Sequence, residues 1–294
     1  MRLPKFDYVA PKTLDEALKA LTAGGEGCRL LAGGTDLMVK MGHGLTAASL
    51  LVAIKGIEGL HGIRFDPSKG LSIGAATLIA EVAEHPDVLK YYPAVAQAAR
   101  KTANTQIRNM ATLAGNLCNA APSADNAPVL LARGAEVEVV SQKGTRQLSL
   151  DDFFNGPGQT ELARDEILTQ ILVPPAAKAS GASYQWISPR GKVDISAVCV
   201  GVNLRLDGDV LKDVRIALGA VAPTPMRATE AEALMEGAKW SEALAEQVSA
   251  KASEESRPIT DVRASAEYRR RMVSVLTRRA LEEAHARAVE NWGV

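Results

Sequence analysis

The sequence has few aromatic residues, no excess of charge of one sign and no long hydrophobic run. Only 4% of its 294 residues are Phe, Trp or Tyr, which leaves few rings on which nucleic-acid bases could stack. Lysine plus arginine and aspartate plus glutamate number 34 each, so the formal net charge is +0. A nucleic-acid binder that works through a global positive field is therefore disfavoured. No stretch reaches about 18 uncharged apolar residues, so no transmembrane helix is expected.

Cysteine is scarce as well. The three cysteines, Cys28, Cys118 and Cys199, lie far apart in the sequence and cannot provide the four thiolates of an iron–sulfur cluster or a structural zinc site. Their odd number also disfavours a disulfide framework. The first residues carry no signal-peptide pattern, so we expect a reducing cytoplasm as the location. The four histidines show no ligand spacing, and we predict neither a metal site nor a catalytic residue.

The length suggests two domains, because single hydrophobic cores seldom grow far beyond about 250 residues. In the first half, short apolar strands alternate with helices, which indicates an α/β layer architecture. We expect helices over 13–23, from Thr77 onward and over 93–102, and strands over 28–32, 49–54, 71–75, 136–140 and 167–173.

The second half has a different pattern. Residues 174–181 are the best candidate for a linker between domains. Apolar runs over 196–206 and 210–219 flank an Asp-Gly-Asp turn, which predicts a β-hairpin. Three helices are expected after it, over 229–236, 241–251 and 265–289. This half is therefore predicted to be a smaller α+β domain.

A strand that runs into two glycines, Gly33 and Gly34, is the first candidate binding element. Glycines let a backbone come close to a phosphate, and free N–H groups at a turn before a helix bind its oxygens. We expect that a Cβ at Gly33, or at Gly115, would enter the path of such a pyrophosphate. The alternative is a tight strand–helix turn with no ligand.

The second candidate lies in residues 104–128, which are rich in small polar residues and carry only two charges, Arg108 and Asp125. The segment has no helical or strand period, so we predict a long functional loop. Within it, Thr112–Asn116 is another small-residue turn, and the two turns could bracket the two phosphates of a dinucleotide. Asp125 could accept hydrogen bonds from a ribityl chain or a flavin N–H, or it could form an Asx turn or a helix cap.

The last predicted helix carries two basic clusters, with Arg269 and Arg270 in the first and Arg278 and Arg279 in the second. They could face an acidic partner, or they could form a solvated helical face.

Together these segments resemble the FAD-binding medium subunits of molybdenum hydroxylases, a family that includes the flavin subunits of carbon monoxide dehydrogenase and of bacterial xanthine dehydrogenases. The resemblance covers nearly the whole chain. One departure is Ala114, where the family often has glycine, and this alanine is compatible with binding if its φ is negative. The matching segments are 6–11, 14–17, 32–36, 73–77, 106–116 and 261–269.

The resemblance implies an FAD-binding domain of the vanillyl-alcohol-oxidase (PCMH) type over 1–175, with subdomains of about 1–55 and 56–175. A C-terminal α+β domain of the carbon monoxide dehydrogenase flavoprotein type would cover 182–294. The first turn would wrap the pyrophosphate, the second would close over it, Asp125 would hold the ribityl or ring end, and Leu168 would pack on the ring. The implied cofactor-binding residues are Leu30, Leu31, Ala32, Gly33, Gly34, Thr35, Asp36, Leu37, Thr102, Thr112, Ala114, Gly115, Asn116, Asp125, Leu168 and Gln185.

By the same resemblance, the chain would be an oxidoreductase subunit that uses FAD to carry electrons from [2Fe–2S] clusters to an external acceptor. The clusters would sit on a small subunit and the molybdopterin cofactor on a large one, in a dimer of heterotrimers. Two other functions stay open on the residues alone: a stand-alone FAD-dependent reductase of the same fold, and a flavin-free interaction module.

Overall fold

The computed structural model describes residues 3–191 and 193–291. Residues 1, 2, 192 and 292–294, which the expected domain ranges include, lie outside the described residues. Within the described ranges the chain forms four β-sheets and eleven α-helices. No helix in these ranges combines the length and apolar character needed to cross a bilayer.

The N-terminal part is a parallel three-stranded sheet in the order β1-β3-β2. Its connection from β1 to β2 is a helix that begins with the predicted capping box. Glu16 N–H donates to Thr13 Oγ1 (3.2 Å), and Thr13 N–H donates to the Glu16 carboxylate (3.4 Å). The elements are β1 (Asp7–Val9), α1 (Leu14–Gly24), β2 (Cys28–Leu31), α2 (Leu37–Gly42) and β3 (Leu50–Ala53).

The middle part is an antiparallel sheet in the order β4-β5-β10-β6-β7, covered by helices. Ile73, Val137 and Ile171 of its three central strands are fully buried in the largest core. The elements are β4 (Ile63–Asp66), β5 (Gly70–Gly74), α3 (Ile79–Glu84), α4 (Pro86–Tyr91), α5 (Pro93–Lys101), α6 (Thr105–Arg108), α7 (Leu113–Cys118), α8 (Asn126–Ala132), β6 (Glu136–Ser141), β7 (Gly144–Ser149), β8 (Phe154–Gly156), β9 (Gln159–Thr160) and β10 (Ile167–Val173).

The prediction of a long irregular loop over 104–128 is wrong, because α6, α7 and the start of α8 lie there. Two of the polar residues that suggested a loop, Asn104 and Thr112, are helix caps. Asn104 Oδ1 accepts from the N–H of Ile107 (2.8 Å), and Thr112 Oγ1 accepts from the N–H of Gly115 (3.0 Å). Helices of four and six residues are too short to show the 3.6-residue period in the sequence.

The C-terminal part is an antiparallel sheet packed against α11, and the predicted hairpin and three helices are confirmed. The strand β11 was missed, because its start was assigned to the linker. Its pairing with β12 runs from Ser180 to Ile187. The elements are β11 (Ser180–Ile187), β12 (Val198–Asp207), β13 (Val210–Gly219), β14 (Met226–Arg227), α9 (Thr229–Met235), α10 (Glu242–Glu255) and α11 (Ala266–Glu290).

Candidate functional site

A cavity of about 1030 Å³ lies where the three parts of the chain meet. The turn after β2 and the segment from α6 to α7 form much of its wall, with Asp125 before α8 and Leu168 on β10. The C-terminal part contributes residues of the loop between β11 and β12, among them Pro189 and Ile195, and Arg263 from the segment before α11. A cavity of this size is large enough for a nucleotide cofactor.

The turn after β2 presents a row of free backbone donors to this cavity. The N–H groups of Met38 and Lys40 donate to the carbonyls of Gly34 (3.0 Å) and Asp36 (2.9 Å). The N–H groups of residues 33–37 find no hydrogen-bond acceptor within 3–191 and 193–291. Gly34 has a φ of 71°, a conformation that glycine adopts at little cost. Consecutive unpaired amides in such a turn form an anion-binding concavity.

The second small-residue turn forms the start of α7 and lies against the first turn. Thr112 caps this helix through its side chain, and the N–H of Ala114 has no acceptor among the described residues. Ala114 is helical, buried, and absent from the residues with positive φ. The negative φ that binding requires at this alanine is therefore present.

The two turns pack directly on each other. A Cβ at Gly33 would collide with the carbonyl oxygen of Met110 and lie 2.6 Å from Cα of Ala111. A Cβ at Gly115 would lie 2.9 Å from Thr112 Oγ1 and 3.8 Å from Ala32 Cβ. The expectation that a Cβ at Gly33 enters the pyrophosphate path is wrong, since it meets the opposite turn instead. Gly33 is thus required by the contact that brings the free amides of residues 33–37 close to that of Ala114.

Asp125 forms the polar end of the cavity. Asp125 occupies the N-cap position of α8, as the helix-cap alternative predicts, but its carboxylate makes no capping hydrogen bond. Instead, Asp125 Oδ1 accepts from the Tyr184 hydroxyl (2.7 Å) and from Ser196 Oγ (2.6 Å). Burial raises the pKa of Asp125 above 3.8, and the bonds from Ser196 and Tyr184 and the charge of Lys101 offset part of this rise. Burial also raises the pKa of Tyr184, so its hydroxyl stays a donor.

Thr102 and Asn116 line the same cavity and are tied together by a buried amide. Asn126 Nδ2 donates to Thr102 Oγ1 (3.0 Å) and to Asn116 Oδ1 (3.1 Å). Leu168, which is 3% exposed, adds an apolar wall from β10. Of the predicted site residues, the structure brings fourteen to the cavity: Leu30, Ala32, Gly33, Gly34, Thr35, Asp36, Leu37, Thr102, Thr112, Ala114, Gly115, Asn116, Asp125 and Leu168.

Two predicted site residues, Leu31 and Gln185, lie elsewhere. Successive side chains on a strand point to opposite faces. Leu31 therefore packs with Met41 behind the sheet, while its neighbours face the cavity. Gln185 likewise points away from Asp125, which its neighbour Tyr184 contacts, and donates from Nε2 to Glu283 on α11 (2.8 Å).

Sequence reasoning missed a cation beside the first turn. Lys40 lines the cavity, and its Nζ donates to Asn119 Oδ1 at the end of α7 (2.6 Å). Its position one helical turn after the free amides is a signal that the sequence contained. The cavity residues Arg190, Asp194 and Arg263 gave no such signal, because they are remote in sequence from both turns.

The basic clusters of α11 divide between the interior and the surface. Arg269 is 3% exposed and donates to the carbonyls of Ala197 (2.6 Å) and Ala220 (3.0 Å) and to Asp261 (2.7 Å). Its assignment to a docking surface is therefore wrong. Arg270, Arg278 and Arg279 are exposed.

Comparison with known proteins finds matches over most of the chain. A family model described as the FAD binding domain in molybdopterin dehydrogenase matches residues 4–176, and one described as the CO dehydrogenase flavoprotein C-terminal domain matches 183–284. The xanthine dehydrogenase FAD-binding subunit of Escherichia coli O157:H7 is 34% identical over 287 residues, covering 96% of this chain and 98% of that protein.

Relatives from a second enzyme agree with this result. The carbon monoxide dehydrogenase medium chain of Hydrogenophaga pseudoflava is 31% identical over 284 residues, covering 97% of this chain and 98% of its own. The structure of carbon monoxide dehydrogenase from Hydrogenophaga pseudoflava, in a form that lacks the Mo-pyranopterin moiety, contains a chain that superimposes with a TM-score of 0.94 at 32% identity. That match covers 98% of this chain and 99% of the other.

Proposed function

Because the chain belongs to the family of FAD-binding subunits of molybdopterin dehydrogenases, we propose that it binds FAD in the cavity between its domains and carries electrons for a larger complex. The observation that carries this proposal is the row of unpaired N–H groups over residues 33–37, packed against the second small-residue turn. Backbone N–H groups that no acceptor of the chain satisfies are available to bind a ligand. A pyrophosphate is an acceptor of suitable charge and size.

The cavity fits the rest of the cofactor as well. Lys40 places a positive charge beside the turn, Leu168 offers an apolar surface, and Asp125 offers an acceptor at the far end. FAD, when bound, would accept and release electrons, and the protein would hold the ring and tune its potential. The proposed FAD site consists of the fourteen cavity residues and does not include the side chains of Leu31 and Gln185.

The finer features of the complex belong to the same proposal. A small subunit would hold the [2Fe–2S] clusters and a large subunit the molybdopterin cofactor, in a cytoplasmic dimer of heterotrimers. The relatives support this arrangement because they are named as subunits and medium chains of dehydrogenases. We also propose the division of the chain into 1–175, with its subdomains, and 182–294.

Titration of the purified, flavin-free chain with FAD tests cofactor binding. We expect quenching of flavin fluorescence at equimolar FAD and much weaker binding of FMN, because FMN has no pyrophosphate. Binding of FMN as tight as that of FAD would contradict the pyrophosphate assignment, and no binding of either would contradict the function.

Purification of the chain from its source tests the complex. We expect iron and molybdenum to elute with it, on two other chains that native mass spectrometry would identify. A fully active, flavin-containing species made of this chain alone would instead support the stand-alone reductase.

A further inference from the structure

Two buried hydroxyl groups of the C-terminal part converge on one oxygen of Asp125. The Tyr184 hydroxyl and Ser196 Oγ donate to Asp125 Oδ1 over 2.7 Å and 2.6 Å. Both donor residues are 0% exposed, and Asp125 is 8% exposed. Water therefore has little access to these bonds, and they fix the torsion of the carboxylate.

The second carboxylate oxygen is left for the cavity. Asp125 Oδ2 has no hydrogen-bond partner within 3–191 and 193–291. It is not enclosed by protein atoms, because the enclosed side-chain atoms that lack a partner in these ranges do not include it. Because Asp125 lines the cavity, Oδ2 is its accessible acceptor.

The donors sit on a rigid support. Tyr184 pairs with Gly201 in the middle of the β11–β12 ladder, and its ring stacks on Trp186 with centroids 5.6 Å apart. Ser196 directly precedes Ala197, whose N–H donates to the Ile187 carbonyl at the end of β11 (2.8 Å). The positions of both hydroxyls are thus set by one sheet, which belongs to the other part of the chain.

We propose that Tyr184 and Ser196 are positioning residues, which hold Asp125 so that its Oδ2 accepts a hydrogen bond from a hydroxyl or N–H group of bound FAD. This inference rests on the proposed FAD function. It assigns to the C-terminal domain the orientation of a group that the FAD-binding domain supplies.

The test is FAD titration of the full chain with Tyr184→Phe and with Ser196→Ala, each of which removes one hydroxyl and little else. We expect the Kd for FAD to rise roughly threefold to tenfold in each variant, the usual effect of one hydrogen bond. A change in the visible spectrum of bound FAD would identify a ring N–H as the donor. Weaker binding with an unchanged spectrum would identify a ribityl hydroxyl.

Tyr92→Phe is the matched control. The Tyr92 hydroxyl is also buried and donates to the Pro174 carbonyl (3.0 Å), but Tyr92 does not line the cavity. Its loss should lower thermal stability and leave the Kd for FAD unchanged.

A double-mutant cycle separates positioning from general structural support. In an Asp125→Ala background, Tyr184→Phe should have no further effect on the Kd, because the group it positions is gone. Additive effects on the Kd, or a wild-type Kd in both single variants, would overturn the inference. Failure of the wild-type chain to bind FAD would instead contradict the proposed function. If Asp125→Ala does not fold, the single Ser196→Ala variant decides, since it removes only one oxygen atom.

Discussion

The two ends of the cavity use different groups, backbone N–H donors at one and a side-chain acceptor at the other. At one end, the free N–H groups of residues 33–37 and of Ala114 belong to two short turns. At the other end, the acceptor is a side chain, Asp125, held by Tyr184 and Ser196 from 59 and 71 residues farther along the chain. One end is therefore local backbone geometry, and the other depends on how two domains pack.

This difference predicts how each end can fail. A backbone donor cannot be deleted by truncating a side chain, so the turn end is sensitive to changes that move the main chain. A side-chain acceptor is lost with a few atoms, and the main chain around it need not move. Substitutions at the two ends should therefore differ in size, in pH dependence and in salt dependence.

Gly33→Ala should have the largest effect on FAD binding. The new Cβ collides with the carbonyl of Met110 and lies 2.6 Å from Ala111 Cα, so the two turns must separate. We expect at least a hundredfold rise in the Kd for FAD, because two or more hydrogen bonds to a charged group are lost together, and a loss of about 1–3 kcal/mol in the free energy of unfolding, as for other overpacked sites. FAD titration and urea denaturation measure both.

Gly56→Ala is the control for this substitution. Its φ is not positive, and only Lys12 Nζ, at 3.8 Å, lies near the new Cβ. Wild-type affinity in Gly33→Ala would show that the contact between the turns does not shape the site.

Asp125→Ala should have the next largest effect. It removes a charged acceptor, a hydrogen bond worth about 1.5–3 kcal/mol in FAD binding, and it leaves two buried hydroxyls unpaired at a cost of about 1–3 kcal/mol each in stability. Asp66→Ala is the control, because Asp66 is an exposed aspartate that also accepts from a hydroxyl, that of Ser68. Equal effects of the two substitutions on FAD affinity would contradict the role of Asp125.

The same contrast explains how much the sequence could predict. Gly33 and Gly34 follow a strand directly, so their turn and most of its cavity residues could be predicted from local patterns. The partners of Asp125 could not, because nothing near Tyr184 in the sequence indicates a contact with residue 125. Gln185 was misplaced by one position on β11, and on a strand a shift of one residue reverses the face.

Short elements show the same limit. The hairpin of β12 and β13 and the long helix α11 were predicted, because ten-residue strands and a 25-residue helix display their periods. The sequence pattern predicts a loop where the helices α6 and α7 lie. Their capping residues, Asn104 and Thr112, are of types that are also common in loops. Only the hydrogen bonds that their side chains accept distinguish a helix cap from a loop residue.

The Asp125 end should also respond to pH. Burial raises the pKa of this carboxyl above 3.8 in the folded chain, so just above that pH the folded state holds a proton that the unfolded state has released. The contribution of Asp125 to stability must then fall as the pH rises through this window. The positive charge of Lys101 opposes the shift. Urea denaturation of flavin-free wild-type and Asp125→Asn chains at several pH values should show that the stability of the wild type falls relative to that of the variant as the pH rises through this window, and parallel curves would contradict it.

Lys40→Gln should have the smallest effect, and it should be the one that depends on salt. Lys40 lines the same cavity as the free amides, and its Nζ bonds to Asn119 Oδ1 (2.6 Å), so its charge favours an anion there. We expect a rise of roughly twofold to fivefold in the Kd for FAD at low salt, as for a partly exposed ion pair. This rise should shrink toward 1 M salt, where the screening length is about 3 Å.

Lys55→Gln is the control, because Lys55 approaches the Met110 carbonyl (3.5 Å) near the same turn but does not line the cavity. The effect of Ser196→Ala should not change with salt, because it removes a neutral hydroxyl. A salt-independent effect of Lys40→Gln, or an equal effect of Lys55→Gln, would show that Lys40 does not act on the anion through its charge.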